Sequence, residues 1–97
     1  MGPDSIGVDF TVLVVEDNKD MRDFVHQLLS KRYKRVIAVD NGLEGLKKLE
    51  EMGAEINLIV SDVMMPEMDG LTMLKEIKSN AEWNGIPVIM LTALAAE

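Results

Sequence analysis

Val12-Leu13-Val14-Val15-Glu16-Asp17 is an apolar, β-branched run that stops at an acidic pair, and Ile56-Asn57-Leu58-Ile59-Val60-Ser61-Asp62 does the same further along the chain. Runs with almost no polar alternation read as strands buried on both faces, which is the condition of a parallel sheet. Two such strands that end in carboxylates bring Glu16, Asp17 and Asp62 to one edge of that sheet. Three carboxylates held close together need a cation, or they do not all stay ionised.

The segments between the strands read as helices. Asn18 is a good N-cap, and Met21, Phe24, Val25, Leu28 and Leu29 then form one apolar stripe over a helix of about Lys19 to Lys31. Arg35 to Val39 is a second short strand, and Asp40-Asn41-Gly42 is a turn signal. Leu43, Leu46, Leu49 and Met52 continue at helical spacing until Gly53. Pro66 prevents an early helix after Asp62, and Asp69 is placed to cap one carrying Leu71, Leu74 and Ile77. Ser79 to Gly85 is a polar loop containing Trp83, and Pro87 opens a fourth strand, Val88-Ile89-Met90-Leu91, with Thr92 at its end. Strands alternating with helices imply a parallel sheet with right-handed crossovers. In such sheets ligands bind beyond the carboxyl ends of the strands, where strand order reverses. Glu16, Asp17, Asp62 and Thr92 all occupy strand carboxyl ends.

Composition narrows the field. The chain has 97 residues, 47% of them hydrophobic and 28% charged, which fits one small globular domain. Residues 1–10 read as a flexible lead-in and 11–97 as the domain. Ten basic against seventeen acidic side chains give a net charge of −7, which opposes direct binding to nucleic acid or to an anionic membrane. The absence of cysteine excludes disulfides and thiolate chemistry and agrees with a cytoplasmic setting. No apolar run approaches the ~18 residues of a membrane span, and the first residues lack the pattern of a signal peptide.

Three stretches together resemble the receiver domain of two-component response regulators: Val12 to Asn18, Asp62-Val63-Met64-Met65-Pro66-Glu67-Met68-Asp69-Gly70, and Pro87-Val88-Ile89-Met90-Leu91-Thr92-Ala93. Their order and spacing cover nearly the whole chain after its first ten residues. The resemblance implies a flavodoxin-like, doubly wound parallel sheet. It implies that Asp62 accepts a phosphoryl group from a sensor histidine kinase or phosphotransfer protein in a phosphorelay. It implies Mg²⁺ held by Glu16, Asp17, Asp62 and the backbone carbonyl of Met64, with Thr92 as a switch hydroxyl on the phosphoryl oxygen. The module is then a phosphoryl acceptor, not an enzyme with its own turnover. The chemistry is sound in itself, because a positioned carboxylate is a workable nucleophile once its charge is offset, and Mg²⁺ favours oxygen ligands.

The sequence departs from the family in one respect. Receiver domains continue into a fifth strand and a last helix, with a lysine that contacts the phosphoryl group; this chain ends at Glu97. Lys47, Lys48, Lys75 and Lys78 fall within expected helices and offer no evident substitute. The fourth strand is then expected to be an uncharged edge, which invites pairing with another copy of the chain. Part of the first helix's apolar stripe is expected to lie uncovered.

Other readings are weaker. An Mg²⁺-dependent aspartyl phosphohydrolase would need an acid/base group two residues after Asp62, where Met64 stands. A non-phosphorylated interaction or dimerisation domain is the third possibility. Asp69, Gly70 and Glu76 fit calcium-loop positions, but Met65 falls where the first carboxylate is needed. His26 reads as an exposed helix residue, and several methionines, including Met21, Met52, Met73 and Met90, as core filler.

Overall fold

In the computed structural model, which describes residues 8–65 and 68–91, the expected alternation forms. The elements are β1 (Val8–Val15), α1 (Lys19–Ser30), β2 (Tyr33–Val39), α2 (Gly42–Met52), β3 (Leu58–Asp62), α3 (Gly70–Ser79) and β4 (Val88–Leu91). All neighbouring strands are parallel, in the order β2-β1-β3-β4. This is the receiver-type, flavodoxin-like sheet with four strands and three helices among the described residues, without a fifth strand or last helix. The strand order reverses between β1 and β3, so the crevice available to a ligand lies beyond Val15 and Asp62.

The period of two along each strand divides the core. Leu13, Val15 and Ile59 face one way and pack with Leu49 of α2, with Met73 and Ile77 of α3, and with Trp83. Val12, Val14 and Val60 face the other way against Val25 of α1. Among the described residues that second face has one helix where the first has two. Val25 is accordingly buried, whereas Met21, Phe24 and Leu28 of the same stripe remain 47%, 61% and 52% exposed. Ile89 on the edge strand is 49% exposed. Among the described residues no helix is long and apolar enough to cross a membrane.

The helix starts follow from their caps. The side chains of Asn18, Asn41 and Asp69 accept hydrogen bonds from the backbone N–H groups of Met21, Glu44 and Thr72. Each satisfies a donor that has no partner within the helix.

The structure moves several expected boundaries. β1 begins at Val8, inside the expected lead-in of residues 1–10, because Val8 N–H donates to the Arg32 carbonyl at 2.7 Å and Phe10 stacks on Tyr33 with ring centroids 6.1 Å apart. α2 ends at Met52 with Gly53 as its C-cap, as expected, and the chain then tightens into a 3₁₀ turn, Gly53–Glu55. β3 begins at Leu58, since Asn57 bonds Thr11 partly through its side chain: Thr11 N–H donates to Asn57 Oδ1 at 2.8 Å. Trp83 lies in the loop between α3 and β4, as expected, yet it is buried in the core at 9% exposure. His26 is half-buried and hydrogen-bonded to the Val36 carbonyl at 3.1 Å.

Candidate metal and phosphoryl site

Adjacent residues of an extended strand point to opposite faces, so Glu16 and Asp17 reach one place only because the chain leaves strand geometry after Val15. Glu16 N–H still donates to the Val39 carbonyl at 3.0 Å, which holds the end of β1 against β2. Across the reversal point, Val15 pairs with Ser61, and Asp62 follows directly on β3. The outcome is one cluster: carboxylate oxygens of Glu16, Asp17 and Asp62 lie within 4.8 Å of one another.

The three carboxylates differ in setting. Glu16 is buried, Asp62 half-buried and Asp17 exposed. Burial pushes the Glu16 carboxyl above its usual 4.5; a hydrogen bond from Asn18 N–H opposes this, while the charges of Asp62 and Asp17 add to it. Asp62 is oriented by Val63 N–H, which donates to its Oδ1 at 2.8 Å. Ser61 Oγ donates to the Asp62 carbonyl at 2.8 Å, fixing the backbone beneath it.

Two carboxylates at such a separation repel by roughly 3 kcal/mol at an effective dielectric of about 20. A divalent cation held by these oxygens would offset that repulsion. The donor set is all oxygen, one member carries a raised pKa from crowding and burial, and Asp17 leaves an open side. These residues fit a hard cation such as Mg²⁺. Met64, the expected carbonyl ligand, has a side chain 74% exposed and no proton-transfer group.

A cavity of about 450 Å³ adjoins the cluster, and Glu16, Asp62, Met21, Phe24 and Leu91 are among the residues that line it. Asp62 pairs in register with Leu91; Thr92, the expected switch hydroxyl, lies outside the described residues. Three of the four lysines considered above are engaged elsewhere: Lys47 and Lys48 pair with Glu44 and Glu51, and Lys78 bonds the Asn84 carbonyl. Asp69 is a helix cap, as its position suggested.

One site residue has a role that sequence reading missed. Gly70 N–H donates to the Val63 carbonyl at 2.8 Å, and the start of α3 lies against the Asp62 backbone so closely that a Cβ at position 70 would overlap the Asp62 carbonyl oxygen. The pair Asp69-Gly70 signals the cap in the sequence; the close approach is visible only in the fold.

The chain matches the family model of the response regulator receiver domain over residues 12–97. It is 45% identical over 86 residues to a hybrid signal transduction histidine kinase D of Dictyostelium discoideum, covering 89% of this chain and 5% of that protein. It is 35% identical over 82 residues to the chemotaxis protein CheY1 of Helicobacter pylori, covering 84% of this chain and 65% of the relative. Among solved structures, the signal receiver domain of a histidine kinase from Syntrophus aciditrophicus superposes with a TM-score of 0.81 at 35% identity, over 88% of this chain and 63% of that one. The chemotaxis response regulator CheY4 of Vibrio cholerae gives 0.79 at 31% identity, over 92% and 72%. The chain thus spans under two thirds of the length of the first two relatives.

Proposed function

This chain belongs to the response regulator receiver domain family of two-component signalling, and on that premise we propose that Asp62 is its phospho-acceptor. The observation that carries the reading is the convergence of Glu16, Asp17 and Asp62 at the reversal point of the sheet. Receiver domains are in general phospho-acceptor modules and not enzymes with a turnover of their own.

In the proposed reaction a carboxylate oxygen of Asp62 attacks the phosphorus of a phosphohistidine on a sensor histidine kinase or phosphotransfer protein. The P–N bond breaks, its electron pair returns to the imidazole, and an acyl phosphate forms on Asp62. Val63 N–H holds the carboxylate in one orientation, which limits the reorganisation the step requires. Glu16, Asp17, Asp62 and the Met64 carbonyl would hold Mg²⁺, which when bound offsets charge on the carboxylates and the phosphoryl oxygens. Thr92 would donate its hydroxyl to the new phosphoryl group and so report its arrival. The acidic chain opposes direct contact with nucleic acid, and the reading places it in the cytoplasm. The uncharged edge of β4, with Ile89 exposed, supports association between copies.

The test is labelling by acetyl phosphate. The reading expects a label that requires Mg²⁺, is removed by a chelator, and is lost in mild alkali as an acyl phosphate is. A label indifferent to the chelator or stable to alkali contradicts it.

A further inference from the structure

We infer that Arg22 is a positioning residue for the carboxylate cluster: its guanidinium holds the bend that makes Glu16 and Asp17 converge. The inference rests on the metal-binding reading above. Glu16 and Asp17 lie past the end of β1, where the strand ladder no longer fixes their carbonyls. From one turn into α1, Arg22 Nη1 donates to the Glu16 carbonyl at 3.0 Å and to the Asp17 carbonyl at 3.3 Å. Arg22 N–H, meanwhile, is fixed to the Asn18 carbonyl at 2.8 Å as the helix begins. One side chain thus sets the backbone of both acidic residues and ties their loop to a rigid element.

The geometry separates this from a charge effect. Among the described residues Arg22 forms no ion pair with a carboxylate. Its side chain approaches the loop from the side of Val39, Asp40 and Glu44, whereas the cavity beside the carboxylates is lined by other residues, Met21 and Phe24 among them. It therefore leaves the carboxylate oxygens free for a cation while holding the chain that carries them. The two accounts predict opposite signs. Removing a nearby positive charge strengthens cation binding; removing a backbone clamp weakens it.

The test is direct Mn²⁺ binding, with free Mn²⁺ read by electron paramagnetic resonance, at a temperature where circular dichroism shows each protein folded. Arg22→Met keeps the length and apolar stem of the side chain and removes every donor. It is expected to weaken Mn²⁺ binding about ten-fold, the range typical of groups that orient metal ligands. Arg22→Lys keeps the charge and loses the planar fork, so it is expected to fall between Met and the native residue; it also carries the test where Arg22→Met does not fold. Binding equal to or tighter than native in a folded variant overturns the inference and leaves the metal reading intact. Absence of Mn²⁺ binding in the native chain overturns the metal reading, and this inference with it.

Discussion

Replacing Gly70 with alanine puts a methyl group where the backbone of β3 already lies. The added Cβ would overlap the Asp62 carbonyl oxygen and press on Val63 Cα at 3.1 Å. Both obstacles are backbone, so no rotamer relieves them. Non-bonded heavy atoms rest near ~3.5 Å, so the start of α3 and the end of β3 must separate by about 1 Å. Overpacking of this kind costs about 1–3 kcal/mol, and the helix propensity gained from alanine returns up to about 1 kcal/mol. The net loss is about 1–2 kcal/mol, which for a domain of this size lowers Tm by roughly 5–15 °C. The control is Gly85→Ala, where no atom stands within 4 Å of the added carbon. That change is expected to leave stability level or raise it by about 0.5 kcal/mol through the unfolded chain. Thermal unfolding followed by circular dichroism reads both. Metal titration of Gly70→Ala is also expected to weaken, because the displaced backbone carries Asp62 and the Val63 N–H that orients it. A Gly70→Ala protein as stable as native would refute the close approach of α3 to β3.

Core and surface apolar residues should part company: Leu49→Ala, at a fully buried position, is expected to cost about 2–5 kcal/mol by urea unfolding, and Phe24→Ala, at an exposed one, no more than about 0.5 kcal/mol. In metal-free protein the folded state retains the Glu16 proton above 4.5, where the unfolded chain releases it. Stability therefore falls as pH rises from 4.5 through the raised pKa; a Glu16→Gln variant measured over the same range is expected to lose that slope. Asp69 acts in the opposite sense. The Thr72 backbone hydrogen bond lowers its pKa below 3.8, so its contribution is present above 3.8 and is lost as pH falls through the lowered value. Ile89→Lys, on the exposed edge of β4, is expected to reduce association between copies in sedimentation velocity; unchanged association would place the contact elsewhere.

The sheet and its site were legible because local signals agreed. The apolar runs of β1 and β3 each end at the carboxylates that the fold brings together, and Val88–Leu91 has the bounds that its residues suggest. Asn18 and Asp69 are caps in pattern and in structure. What sequence did not reveal depends on contacts between distant segments. Trp83 sits in a polar stretch, yet it is buried where Gly53 has no side chain: a Cβ there would lie 2.8 Å from the indole nitrogen. The early start of β1 depends on Phe10 meeting Tyr33 across the sheet. Arg22 carries no signal of its own in the sequence. Its role follows from where the bend after β1 leaves two carbonyls, which no periodicity encodes.

The measurement that tests the central claim most directly is intact mass with peptide mapping after incubation with acetyl phosphate and Mg²⁺, on the native chain and on Asp62→Asn. The account predicts one phosphoryl adduct, mapped to the peptide containing Asp62 and absent from the variant. An adduct that persists in Asp62→Asn, or a folded, metal-binding native chain that takes no phosphoryl group, would contradict it.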